Sequence, residues 1–183
     1  MEGVRHELDR NSAEDRFRDV FSHLGAVTAY TRRRGSKDPD AIAAEVMTIA
    51  WRRLADVPTD DPRPWLYATA RNLLLAEARR AARSRSTRLR EPDQVVAAPE
   101  VRETDPDLWR ALRSLSQLDR EALLLVAWED LVPTQAAKAL GISQAAFRVR
   151  LLRARRRLRA SLDRQAESPP AAPLARLDAE GTP

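Results

Sequence analysis

The chain has no cysteine. Disulfides, thiolate zinc sites and cysteine nucleophiles are therefore excluded. Its only histidines, His6 and His23, fall on different segments and in no metal-ligand spacing, so no metal site is expected. Glycine is scarce, at 5 residues, and no glycine-rich phosphate loop can be written from it. No apolar run approaches the roughly 18–20 residues that a membrane-spanning helix needs. The first residues are acidic and polar, unlike a signal peptide, which points to the cytoplasm. No nucleophile–base pair or metal cluster can be assembled, so no catalytic residue, enzyme activity or cofactor is expected. Lysine is nearly missing too, limited to Lys37 and Lys138, and arginine carries the net charge of +5. Two causes fit that bias: a nucleic-acid partner, since arginine binds phosphate and guanine bidentately, or a coding sequence rich in G and C.

What is present is helical. The 183 residues suffice for one ordinary domain or two small ones. No segment alternates like a strand, so the expected fold is all-α: two small helical domains joined by a flexible linker. Residues 1–11 read as a flexible start. Ser12 with Asp15 resembles a capping box and opens a helix to about Arg34, with Phe17, Val20, Phe21, Leu24 and Val27 on one stripe. Asp38-Pro39 starts another, since Asp caps and Pro suits the first helical position. Its inward face is Ile42, Val46, Ile49 and Ala50, closed by Trp51 and Leu54. A proline-stiffened loop, 57–64, leads to a helix from Trp65 to about Arg83, with Trp65, Leu66, Thr69, Leu73 and Ala76 inward. The first domain is thus 12–84, the linker 85–104, the second domain 105–163 and a disordered tail 164–183. Asp105-Pro106 repeats the helix start.

Three constellations could carry function. The first is Pro133–Leu162. Ala136, Ala137 and Leu140 mark a short helix, Gly141-Ile142-Ser143 a turn, and a second helix follows with Phe147, Leu151, Ala154 and Leu158 as its packing seam. That is the layout of a helix-turn-helix, whose second helix enters the DNA major groove. The outer faces bear Arg148, Arg150, Arg153, Arg155, Arg156, Arg157 and Arg159 with no acid among them, a density that a polyanion would relieve. Ser143, Gln144, Ala145 and Arg148 lie at the end that reaches base edges. Arg150, Arg153 and Arg156 suit phosphates. A solvated arginine face is the plain alternative.

The second constellation is the Trp65 helix behind its stiff loop: Trp65, Tyr67, Arg71, Asn72, Arg79 and Arg80. Aromatic rings and arginines hold the unstacked bases of a single strand. Read alone, Trp65 fits a core role better than a stacking platform, and Tyr67 can serve either way. The third is the outer side of the Asp38–Leu54 helix, with Asp40, Glu45, Thr48, Arg52 and Arg53, to which composition alone assigns nothing.

In chain order these pieces resemble a bacterial sigma-70 family sigma factor of the extracytoplasmic-function group. Phe17, the run Asp38–Met47 leading to Trp51, and above all Pro64-Trp65-Leu66-Tyr67-Ala68-Thr69-Ala70-Arg71-Asn72-Leu73 resemble region 2. Ala111–Leu115, Asp119–Leu125, Ala136–Ser143 and Arg148–Leu158 resemble region 4. The likeness spans roughly 14–162. It implies promoter-specific initiation by RNA polymerase. Asp38, Asp40, Ala41, Ala44, Glu45 and Thr48 would face core polymerase. Asp61, Arg63, Trp65, Tyr67, Arg71, Asn72 and Arg79 would take the unpaired strand of the −10 element, and the Gln144 helix would read the −35 element. It implies no cofactor, a free monomer, no membrane insertion and, in many relatives, an anti-sigma factor. The sequence departs from the pattern at Ala41 and Ala44, where an acid and a glutamine are usual. It departs also at Ala76 (aspartate), Ser116 (proline), Val132 (serine) and Pro62 (aromatic). Two alternatives remain: a stand-alone helix-turn-helix regulator, and a sigma-derived decoy that binds polymerase without starting transcription.

Overall fold

In the computed structural model the described residues are 2–87 and 105–167, with side chains from Ser12 to Arg83 in the first stretch. Among them every regular element is a helix. In chain order these are α1 (Glu2–Phe21), α2 (Leu24–Arg33), α3 (Pro39–Arg52), a short 3-10 turn (Leu54–Asp56), α4 (Arg63–Thr87), α5 (Pro106–Ser114), α6 (Gln117–Ala127), α7 (Pro133–Leu140) and α8 (Gln144–Glu167). The expected linker and tail beyond Thr87 and Glu167 lie outside the described residues.

The helix starts follow their capping chemistry. The Asp38 carboxylate accepts from the Ala41 backbone N–H at 2.9 Å, with Pro39 at the first turn. Asp105 accepts from Asp107 N–H at 2.8 Å ahead of α5. Ser116, where the family pattern has proline, caps α6 by accepting from Asp119 N–H at 3.2 Å. A serine oxygen satisfies an orphan donor that proline at the same place would leave to water. Gly141 closes α7 in the left-handed region at φ 67°, where a Cβ would be strained.

Three sequence expectations need correction. The helix begins at Glu2, not at Ser12, so Ser12 and Asp15 lie inside it and cap nothing. No proline interrupts 2–11, and a Ser-x-x-Asp pattern caps only where the upstream chain leaves the helix. The single helix expected to run to Arg34 is two. It breaks at Ser22–His23, where the Ser22 hydroxyl donates to the Asp19 carbonyl at 2.6 Å and competes with the backbone ladder. The stripe hides this break, because Val20 and Val27 are both buried on either side of it. Trp51 does not close a buried face: it is 47% exposed, with its ring edge-on to Phe17 at 4.9 Å.

Helices α1–α4 form one unit, in which α3 packs on α2, and α4 packs on both. Helices α5–α8 form the other, with α8 laid across α5, α6 and α7. The two are not merely tethered. α4 lies against α7, and the buried residues of both units join into one apolar cluster.

Candidate nucleic-acid interface

Helix α8 is fixed by its seam. Phe147 and Ala154 are fully buried and Leu151 nearly so, one side of the helix pressed onto α5–α7. The spacing of four and three residues keeps these side chains on one face. The opposite face is therefore bare. Gln144, Ala145, Arg148, Arg153 and Arg156 are exposed, with Val149 and Leu152 among them. Ser143 is exposed as well, and its hydroxyl accepts from Ala146 N–H at 3.2 Å, so it caps the helix and starts it squarely at Gln144. The base-reading set of the sequence thus shares one solvent-facing surface.

Arg150 is placed differently. It turns to α6 and donates to Asp119 Oδ1 at 2.8 Å, while Arg157 takes Oδ2. The acid missing from the stretch 148–159 of α8 is supplied by another helix. Burial would raise the Asp119 carboxyl, but hydrogen bonds from Ser116, Arg150 and Arg157 outweigh it and hold it below the ordinary aspartate range. A phosphate at Arg150 would have to share that arginine with Asp119.

The second set divides. Asp61 is locked at the head of α4: Oδ1 accepts from Arg63 N–H and Nε, both at 3.0 Å, and Oδ2 accepts from Arg63 Nη2 at 3.0 Å and from Gln135 Nε2 of α7 at 2.7 Å. Burial opposes its ionisation, and the Arg63 hydrogen bonds prevail, so its carboxyl is also lowered. Tyr67 is only 3% exposed and stacks on Tyr30 at 4.7 Å and 13°. Of its two possible roles, core or platform, this conformation gives it the core. Burial pushes its phenol up to about 12. Trp65 is half-buried, with the Arg53 guanidinium 6.0 Å from its ring. Asn72 and Arg79 are exposed, and Arg71 is half-buried. Trp65, Asn72 and Arg79 stand two helical turns apart and share a stripe of α4.

On α3 the third set stays together. Asp38, Asp40, Ala41, Ala44, Glu45 and Thr48 are all exposed, opposite the buried Ala43, Val46, Met47 and Ala50. Thr48 donates to the Ala44 carbonyl at 2.9 Å and so stays close to its own helix. Ala41 and Ala44 leave the middle of this face flat and uncharged.

Sequence reasoning missed one cluster. Tyr30, Arg33 and Arg34, at the end of α2, meet Glu121 and Glu129 of the second unit. Basic residues in a last helical turn ordinarily complement the helix dipole, a signal too general to reveal a long-range partner.

Among the described residues no group of three or more acidic or histidine side chains could hold a metal ion, and no helix is long and apolar enough to cross a membrane. Residues 106–158 match the family model described as Sigma-70, region 4. The fold is similar to that of the sigma factor RpoE from Bartonella quintana, solved with the anti-sigma factor NepR. That match has 21% identity and a TM-score of 0.61, over 80% of this chain and 95% of that one. It is similar also to CnrH, solved in complex with the cytosolic domain of CnrY, at 28% identity and a TM-score of 0.56, over 83% of this chain and 89% of that one. No curated protein matches the chain.

Proposed function

We infer that this chain, which belongs to the sigma-70 family and has the two-unit helical build of its extracytoplasmic-function group, directs RNA polymerase to a defined set of promoters. The observation that carries the reading is the bare basic face of α8, held on a region 4 helix-turn-helix that follows a region 2-like unit in the same chain. Gln144 and Arg148 sit at the end of α8 that can meet base edges of a −35 element. Each good bidentate contact discriminates by roughly 1–3 kcal/mol. Arg153 and Arg156 suit phosphates, which position the helix without reading sequence.

The head and outer stripe of α4 take the −10 step. An unpaired base can be held only after the duplex opens, so binding one lowers the free energy of the open state without nucleotide hydrolysis. Trp65, Asn72 and Arg79 supply an aromatic, an amide and a cation along one line. The outer face of α3 docks on polymerase. Polymerisation belongs to that enzyme, and this chain brings no cofactor to it. The similar RpoE is solved with an anti-sigma factor, NepR, and CnrH with the cytosolic domain of CnrY, which supports a protein antagonist as a partner here too.

The deciding experiment is sequencing of transcripts made by core polymerase reconstituted with the full chain. New, sequence-defined start sites are expected. Binding of the free protein to duplex DNA as tight as that of the reconstituted polymerase, with no new start sites, favours the stand-alone regulator. One observation keeps the decoy reading alive: Ala41 and Ala44 are exposed where an acid and an amide are usual. Capture of polymerase with no transcript from any promoter favours it.

A further inference from the structure

Arg150, Arg153 and Arg157 recur along α8 at steps of three and four, so they share one flank beside the buried seam. They are not equivalent. Arg150 and Arg157 close on the two carboxylate oxygens of Asp119, an α6 residue only 3% exposed. Arg153 stands between them, exposed and with no acidic partner among the described residues. Asp119 cannot follow either arginine outward, because the Ser116 oxygen holds its backbone N–H at the head of α6. The arginines face water: the Arg157 side chain is 61% exposed and that of Arg150 33%.

A carboxylate in this place opposes DNA. Affinity for duplex of any sequence comes from phosphates neutralised by cations, and it grows with their number. A phosphate that drew off one arginine would leave Asp119 to the other. Drawing off both would strand a buried charge without a partner, which is costly. Loosely seated DNA is therefore offered Arg153 and at most one of its two neighbours. Gln144 and Arg148 lie on the other flank of α8, and their contacts to base edges owe nothing to Asp119.

We propose that Asp119 is a positioning residue that competes with DNA phosphates for Arg150 and Arg157, and so keeps the sequence-independent affinity of this chain low. Stable seating then needs the base contacts of Gln144 and Arg148 as well. A genome offers a vast excess of sites without the right sequence, so a weak hold on all of them leaves more of the chain free to act elsewhere. The plain alternative is a staple, since the same pairs fix α8 on α6. The two differ in salt dependence, which follows the number of phosphates held and which a staple does not alter. The inference rests on the reading of α8 as a DNA-binding helix, and its test separates the two.

The test is a salt titration of the full chain on a duplex of scrambled sequence, read by fluorescence anisotropy. Asp119→Asn should steepen the fall of log affinity with log salt by about one to two, at roughly 0.9 for each phosphate regained. At about 0.1 M salt that is about tenfold tighter binding per contact. Asp119→Glu keeps the charge and should stay near the wild type. In a chain that already carries Arg150→Gln and Arg157→Gln, Asp119→Asn should leave the slope where it was. Circular dichroism accompanies each variant. If Asp119→Asn does not fold, single arginine variants decide the matter: Arg153→Gln should lower the slope by about one, and Arg157→Gln by much less. An unchanged slope in folded Asp119→Asn, or equal losses from Arg153→Gln and Arg157→Gln, overturns the role of Asp119 and leaves α8 a DNA-binding helix. A slope that none of these variants moves, Arg153→Gln included, refutes the reading of α8 itself.

Discussion

The outer face of α8 and the head of α4 are both assigned to DNA, yet they stand in opposite conditions. On α8 the reading residues are bare, and only the seam behind them is buried. On α4, Asp61 is tied to Gln135 and Tyr67 is sealed under Tyr30. One reader is bare, whereas the other has Asp61 tied to the second unit and Tyr67 buried within its own. The difference teaches that a binding face carried by a single helix survives any packing of its opposite side. A face built where two units meet exists only in some of their arrangements.

The comparison can be broken most severely from behind α8. Phe147 is fully buried, so Phe147→Ala should destabilise the second unit by about 3–5 kcal/mol. Urea unfolding followed by tryptophan fluorescence checks this. A loss under about 1 kcal/mol would mean that the seam does not hold the helix.

The covered side has a pH signature. The chain has 2 tyrosines, Tyr30 and Tyr67, and burial raises both phenols, Tyr67 to about 12. A folded-state value above the unfolded one means that stability is intact below about pH 10 and is lost as pH rises through the folded value. Ultraviolet titration should show little phenolate near pH 10, then a steep rise that coincides with loss of helix. Ordinary titration of either tyrosine near pH 10 would place it in water.

The open side predicts selectivity. Arg148→Ala should cost roughly 1–3 kcal/mol on the preferred −35 sequence and much less on variants of it, whereas Arg153→Ala should weaken all sequences alike and reduce the salt slope by about one. Binding of the reconstituted polymerase to a promoter panel separates the two. Equal, sequence-independent losses for both would remove base reading from Arg148.

A smaller effect tests what orients α8. Asp119→Asn should lose about 1 kcal/mol at neutral pH, since its arginine partners are partly solvated. Because the Asp119 carboxyl is lowered in the fold, its contribution is present above the ordinary aspartate value of about 3.9 and fades as pH falls through the folded value. Wild-type and variant stabilities should therefore converge in acid. Constant separation down to low pH would assign the loss to something other than charge.

The smallest change is a gain. Val132 precedes α7 without a side-chain cap, and only Gln135 reaches back, accepting from Val132 N–H at 3.0 Å. Val132→Ser should add about 0.5–1 kcal/mol. Thermal unfolding checks the sign, and a lower midpoint would mean that this backbone does not present the serine oxygen to the helix.

Much of this was legible in the chain. The Asp-Pro starts, the glycine that ends α7 and the spacing of Phe147, Leu151 and Ala154 act over one or two turns, so local chemistry dictated them. The same spacing put Arg148 and Gln144 outside, and Val46 with Ala50 put Ala41 and Thr48 outside on α3. The break at Ser22 escaped because a hydroxyl bonding its own backbone leaves no trace in apolar periodicity. What no periodicity could supply is a distant partner: Arg34 for Glu121, 87 positions away, Asp119 for Arg150, 31 away, or Tyr30 over Tyr67. Helix and turn are settled by neighbours along the chain. The fate of a charged or aromatic side chain is settled by which helix lies against it, and only the tertiary packing, α2 against α4 and α6 against α8, decided that.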